Sequence, residues 1–461
     1  MKTLLARLFY LILLYLAVPL VWLRLWRRSH QQPEYAQHLR ERWGYHPSLP
    51  PAQAWKPVIW VHAVSVGETR AAQPLIEALL ARWPDHLLLL TGMTPTGRET
   101  GGNLFASAIL RGQLWQAYLP YDYPGAVHRF LTHFRPRFGI LMETELWPNL
   151  LQATRHRQIP MFLVNARLSE RSARGYQRFA ALTRPAFAAL TRVAAQTEAD
   201  AERLRVCGSP AVTVCGNLKF DVTPAADRLA LGQQWRQAIG PRPVWLAAST
   251  REDNGLAEED LILDAFDSLR QHWTAAPEPL LVLVPRHPQR FDAVAARIRA
   301  RGFACLRRSD AAEKGLPDQS IQVWLGDSMG EMVAYYALAD LAFIGGSLLP
   351  LGGQNLIEAA ACGCPVLVGP HTFNFTQATA DALACGAAVQ VADAGELGPR
   401  LLALMQDTAA REAMQNAARN FARQHQGATG RIMAVVETGI AVSPQLSPDN
   451  SASGQRGRTA K

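Results

Sequence analysis

The segment His62-Ala-Val-Ser-Val-Gly-Glu68 lies between an apolar run and an amphipathic one, so its glutamate falls where a strand gives way to a helix. Open α/β domains bind ligands at that edge of the sheet, and a carboxylate there can take a proton from a hydroxyl within hydrogen-bond reach. Ser65 and Glu68 also have capping-box spacing, which gives the pair a purely structural task. A second acidic site, Met142-Glu143-Thr-Glu145-Leu-Trp-Pro148, follows another apolar run; one of its glutamates can complement a helix dipole, but two acids at one strand end suggest chemistry. Lys219 in Gly216-Asn-Leu-Lys-Phe-Asp221 is either a solvated surface cation or a group that steadies charge on a leaving phosphate.

The second half carries residues suited to an anion. Arg286 in Pro285-Arg-His-Pro288 closes an apolar run, where a guanidinium suits a phosphate. Ser328-Met-Gly-Glu331 and Asn355-Leu-Ile-Glu358 both have capping-box spacing ahead of Ala-rich sequence, with the run 341–344 and Gly345-Gly346-Ser347 between them. Strand, glycine turn and helix start together form a place where backbone N–H groups meet an anion, and a nucleotide is the natural guest. The GxxxxGK[ST] and GxGxxG patterns and any Asp-x-Asp pair are absent, so neither a metal site nor a cofactor is expected.

Positioning such residues takes two domains. At 461 residues the chain exceeds what one core organises. Runs at 58–61, 87–91, 138–142, 161–164, 193–195 and 212–214 read as strands of a buried parallel sheet, with helical patterns between them. A polar, Ala-rich stretch at 222–242 reads as a connection, and a second series follows at 244–247, 280–284, 322–325, 341–344, 365–368 and 387–391. The expected boundaries are 1–28 for a membrane anchor, 48–221 and 243–441 for two Rossmann-like domains, and 442–461 for a disordered tail without hydrophobic periodicity.

Residues 8–23 contain no charge and are flanked by Lys2 and Arg7 before and by Arg24, Arg27 and Arg28 after. At 1.5 Å per residue such a run falls short of the roughly 30 Å hydrocarbon layer, so a short anchor and an interfacial helix both fit. The heavier positive flank places the globular part on the cytoplasmic side. Six cysteines without a CxxC pair match a reducing compartment. A formal charge of +9 implies an acidic partner or surface, and the apolar segment selects an anionic membrane rather than nucleic acid.

These segments together resemble the 3-deoxy-D-manno-octulosonic acid (Kdo) transferases, through SVGET at 65–69, TPTG at 94–97, YLPYD at 118–122, METELWPN at 142–149, NARLS at 165–169, LKFD at 218–221, PRHPQRF at 285–291, GDSMGE at 326–331 and GPHTFNF at 369–375. The resemblance implies a GT-B glycosyltransferase with two facing Rossmann-like domains and an N-terminal membrane-anchoring helix. It implies inverting transfer of Kdo from CMP-Kdo to the lipid A precursor at the bacterial inner membrane. By the same resemblance Glu68 is the proton acceptor, Glu143 and Lys219 stabilise the transition state, and Pro285, Arg286, Met329, Gly330, Glu331, Asn355, Leu356, Ile357 and Glu358 hold CMP. Gln354 departs from the histidine expected before Asn355. Two other readings of the same residues are a membrane-associated GT-B transferase that uses another nucleotide sugar and a non-catalytic nucleotide-sugar sensor.

Overall fold

The computed structural model describes residues 2–442; the remainder of the tail read as disordered lies outside the described residues. The chain divides into two compact units, one formed by residues 1–222 together with those from 426 on, the other by residues 223–425.

The first unit is built on seven strands: β1 (Val58–His62), β2 (Leu87–Gly92), β3 (Leu114–Tyr118), β4 (Pro136–Met142), β5 (Met161–Ala166), β6 (Arg192–Ala195) and β7 (Val212–Val214). Their order is β3-β2-β1-β4-β5-β6-β7, and every pairing is parallel. All five residues of β1 are buried, as a strand covered on both faces requires. One face packs Trp60, Phe130, Leu150 and Leu163. The other packs Ile59, Val61, Leu75 and Ile76 against Ile432 and Val436. The strand order reverses between β1 and β4, and ligands of such sheets sit at that crevice, beyond the carboxyl ends of the strands.

Ile432 and Val436 belong to the helix Ala428–Ala441, which the sequence reading assigned to the second domain. The chain instead returns to the first sheet. Each buried aliphatic side chain contributes about 1.5–3 kcal/mol to that docking. Gly439 permits the approach, because a Cβ there would lie 2.4 Å from the ring of Phe162.

The second unit repeats the plan with β8 (Val244–Thr250), a short hairpin of β9 (Glu252–Asp253) and β10 (Leu256–Ala257), then β11 (Leu280–Pro285), β12 (Cys305–Arg307), β13 (Val323–Leu325), β14 (Leu341–Ile344), β15 (Val366–Val368) and β16 (Ala388–Gln390). Its main sheet has the order β12-β13-β11-β8-β14-β15-β16, again all parallel, with the reversal between β8 and β14. The stretch read as a connection is mostly the helix Ala226–Ile239, and its Trp235 ring meets Trp324 edge-on at 5.0 Å, so this segment belongs to the second core. Neither β3 nor β12 was read from sequence. Both lie at the outer edge of a sheet, where partial exposure interrupts the apolar run.

The N-terminal apolar stretch forms two helices, Lys2–Leu16 and Val18–Gln31, bent by 43° to one another. Pro19 has no N–H to offer the carbonyl one turn earlier, which breaks the run. No single helix among the described residues is long and apolar enough to cross a membrane; the bent pair passes that test jointly. Leu4, Leu5, Leu8, Phe9, Leu20 and Trp26 are exposed. Other positions hold the pair to the first unit: the Tyr10 hydroxyl donates to Asp122 Oδ2 at 2.9 Å, the Tyr123 hydroxyl donates to the Leu14 carbonyl at 2.9 Å, and Trp22 stacks on Trp43 with centroids 6.0 Å apart.

Candidate active site

Glu68 follows β1 and Glu143 follows β4, the two strands that flank the reversal in the first sheet. Ser65 caps the helix Val66–Ala71 by accepting the Glu68 N–H, and the Glu68 carboxylate reaches back to accept the Val64 N–H at 2.6 Å. The capping spacing read from sequence therefore operates, displaced by one residue on the returning bond. Burial pushes the Glu68 carboxyl up to about 7, against the Val64 bond that lowers it, and the charges of Glu143 and Glu145 push it further. A carboxyl balanced near neutrality can accept a proton at working pH.

Glu143 adopts a left-handed backbone, φ +56°, unusual without glycine and costing about 1–2 kcal/mol. Its N–H donates to the Val164 carbonyl at 3.0 Å, which fixes that turn to β5. Lys219 Nζ lies 3.8 Å from Glu143 Oε1, with both side chains mostly covered. Burial raises the Glu145 carboxyl, while the Trp147 indole N–H donates to it at 2.8 Å. The fold thus gathers Glu68, Glu143, Glu145 and Lys219.

Supporting residues escaped the sequence reading. Asn165, itself at φ +50°, accepts the Leu218 N–H at 3.0 Å and so anchors the turn that carries Lys219. Asp221 then accepts the N–H groups of Gly427 at 2.7 Å and Thr429 at 2.5 Å, tying that turn to the returning C-terminal helix. Asp122 accepts the N–H groups of Asn149 and Leu150 at 2.9 and 2.8 Å and caps the helix Pro148–His156 behind Glu143 and Glu145. All three lie in the quoted motifs, which was the signal available.

In the second unit the residues assigned to CMP lie beyond three strands. Pro285 and Arg286 end β11, with the Arg286 N–H donating to the Thr250 carbonyl at 3.0 Å. Met329, Gly330 and Glu331 follow β13. Ser328 does not cap the next helix, because that helix starts at Met332 with Glu331 as its N-cap residue; the Ser328 hydroxyl instead donates to the Glu331 carboxylate at 2.5 Å. Arg308 and Arg228 also reach Glu331, at 2.9 and 3.7 Å. Asn355 caps the helix Leu356–Ala361 through the Ile357 N–H at 3.2 Å. Leu356 and Ile357 are core side chains, so they can meet a ligand only through backbone.

The glycine turn differs from the anion cradle expected of it. The N–H groups of Gly346 and Leu348 donate to Glu258, at 2.6 and 3.1 Å, as does that of Arg251 at 2.9 Å. The anion at this turn is the protein's own. Its neighbour Glu259 accepts Thr250 Oγ1 at 2.5 Å and both Nη groups of Arg290 at 2.8 Å. Three consecutive acids at 258–260 open the helix Glu258–His272, and they were given no role in the sequence analysis.

Residues 37–222 match the sequence model of the family described as 3-deoxy-D-manno-octulosonic-acid transferase, and residues 305–421 match that of glycosyl transferases group 1. A 3-deoxy-D-manno-octulosonic acid transferase of Bordetella pertussis is 50% identical over 91% of this chain and 96% of its own. That of Haemophilus influenzae is 36% identical over 93% and 97%. Among solved structures, a glycosyltransferase from Rickettsia africae aligns with 84% of this chain and 100% of its own at a TM-score of 0.56 and 12% identity, which speaks to fold alone. With two parallel-sheet α/β units of the GT-B kind and half of the aligned residues shared with a relative matched almost end to end, the chain belongs to the 3-deoxy-D-manno-octulosonic acid transferase family of glycosyltransferases.

Proposed function

We propose that the chain transfers Kdo from CMP-Kdo to a hydroxyl of the lipid A precursor with inversion at the anomeric carbon. The observation that carries this reading is Glu68: a half-buried carboxyl at the reversal of the first sheet, pushed up to about 7 by desolvation in the company of Glu143 and Glu145. As the acceptor oxygen forms its bond to the anomeric carbon, Glu68 takes the hydroxyl proton. The bond from that carbon to the phosphate oxygen breaks on the opposite face, and its electron pair leaves with CMP. Lys219, with Glu143 beside it, stabilises charge that develops in the transition state.

In this reading the first unit serves the acceptor and the second holds CMP, through Arg286, the segment Met329–Glu331 and the turn from Asn355 to Glu358. Family membership supports the donor and acceptor classes. The exposed apolar side chains of the bent helical pair, with Arg24, Arg27 and Arg28, suit attachment to the inner face of an anionic membrane, where the acceptor resides. Incubation with CMP-Kdo and lipid A precursor, followed by mass spectrometry, tests the reaction. A product one Kdo heavier is expected from the native chain and at most a trace from Glu68→Gln; transfer from a UDP-sugar in place of CMP-Kdo would overturn the donor.

A further inference from the structure

Beside the outer strand β3 of the first unit runs a groove of about 1500 Å³ whose lining contains none of Glu68, Glu143, Glu145 or Lys219. Residues 36–58 form one side and residues 128–135 the other, with Arg98 and Trp115 completing it.

The charge of this groove is one-sided. Arg40, Lys56, Arg98, Arg129 and Arg135 line it, and among the described residues Glu41 is its one carboxylate. Glu41 is committed, to Arg98 at 2.8 Å and to the Tyr118 N–H at 2.7 Å. The other cations rest on groups that carry no charge. Arg129 donates through Nε and Nη2 to the Trp43 carbonyl at 3.0 and 2.6 Å, Lys56 to the Gly112 carbonyl at 3.3 Å, and Arg135 to the Thr132 carbonyl at 3.3 Å, while the Arg40 guanidinium lies 5.8 Å from the Tyr45 ring centre. Carbonyls and rings orient these cations without neutralising them, so among the described residues four positive charges stay uncompensated in one concavity.

An occupant that carries negative charge on oxygen atoms answers this excess of cations. The rim adds apolar surface, since Trp55 is 72% and Tyr45 50% exposed. The lining chain also continues directly from the helix Val18–Gln31, whose Trp22 stacks on Trp43 and whose exposed Leu20, Leu23 and Trp26 suit the acyl boundary.

We propose that this groove binds the phosphate-bearing headgroup of an anionic lipid. Its guanidinium and ammonium groups hold the phosphate, and Trp55 and Tyr45 border the acyl chains. The site is distinct from the reacting carboxylates and stands apart from the donor and acceptor assignments.

Native mass spectrometry of the full chain released from a neutral detergent tests it, with phosphatidylglycerol, zwitterionic phosphatidylcholine and inorganic phosphate as probes. The native chain should retain phosphatidylglycerol as a discrete adduct at least tenfold more readily than either comparator. The combined variant Arg40→Gln, Lys56→Gln, Arg135→Asn keeps the helical anchor and should lose that preference, and Trp55→Ala, at an exposed position, should weaken it several-fold. Unfolding of the combined variant would leave Trp55→Ala and Lys56→Gln alone to decide. Equal retention of phosphatidylcholine, equal retention of inorganic phosphate, or variants that bind as the native chain does would each overturn the proposal. Turnover on detergent-dispersed acceptor should be unchanged in the groove variants, so a failed reaction assignment and a failed lipid site would read out separately.

Discussion

The two sheets reverse their strand order in the same way, and each places a carboxylate near the reversal, half-buried in the first and fully buried in the second, yet the two carboxylates are in opposite circumstances. Glu68 in the first unit has one strong backbone donor, from Val64, and faces the charges of Glu143 and Glu145. Glu258 in the second has three backbone donors, and its neighbour Glu259 has an arginine and a threonine. Burial raises both Glu68 and Glu258, but the three N–H bonds hold Glu258 back. One fold thus holds a carboxyl with a single backbone donor and a carboxyl that fixes a loop through three.

The sharpest way to break this comparison is Glu68→Gln. Loss of the proton acceptor should reduce turnover by about 10²- to 10⁴-fold. Stability should move the other way. The folded carboxyl titrates near 7 and the unfolded one near 4.5, so the native chain loses stability as pH rises across that window. Glutamine carries no such penalty. At pH 8 the variant should be at least as stable as the native chain, by at most about 3 kcal/mol, with the gap closing below pH 5. Denaturant melts at both pH values check the sign, and native-like turnover would remove Glu68 from its role.

Glu258→Ala sharpens the other side. It leaves the N–H groups of Arg251, Gly346 and Leu348 buried without their acceptor, and each orphaned group costs about 1–3 kcal/mol. A loss on the order of 3 kcal/mol or more is expected in urea unfolding. A loss below about 1 kcal/mol would mean that water replaces the carboxylate and that the turn is freer to bind an external anion than its bonds indicate.

Glu358→Ala should have a smaller effect, read in ligand affinity. It removes no helix cap, since Asn355 supplies that bond. If the Glu358 carboxylate accepts hydrogen bonds from the ribose of CMP, affinity should fall by about 1–3 kcal/mol in calorimetry on the folded variant. Unchanged CMP affinity would reduce Glu358 to a structural acid like Glu258.

Which of these roles was legible in the sequence follows from what each residue touches. The inner strands announced themselves, because a strand covered on both faces must be apolar throughout, as at 58–62. The edge strand β3 carries Gln116 and a half-exposed Trp115, and β12 is three residues long, so neither shows a continuous run. Glu68 was legible because strand end, capping spacing and acidity coincide in one short segment. Glu258 was not, since an acid opening a helix looks the same whether solvent or three backbone donors surround it. The return of residues 428–441 to the first sheet was hidden for a related reason: its partners Asp221, Cys215 and Phe162 are far away in sequence.

The mildest test concerns the link between the N-terminal helices and the acidic turn, a connection from surface to site for which Glu258 has no counterpart. The Tyr10 hydroxyl is one of three donors on Asp122, a buried carboxylate that caps the helix following Glu143 and Glu145. Burial holds Asp122 up at about 6, and the bond from Tyr10 works against that rise. Tyr10→Phe removes the bond while keeping the ring. Because the folded carboxyl titrates above its ordinary value of 3.8, the native chain loses stability as pH rises from about 4 to about 6 and no further above that. Above that pH the variant should be less stable by about 1–2 kcal/mol, the worth of a hydrogen bond to a charged acceptor. Near pH 4 both chains hold a protonated Asp122, and the difference should shrink to about half. Turnover should fall only a few-fold, since the two backbone donors still cap the helix. An equal loss of stability at both pH values would show that Tyr10 contributes packing alone, and that the charge on Asp122 is managed entirely by the helix it caps.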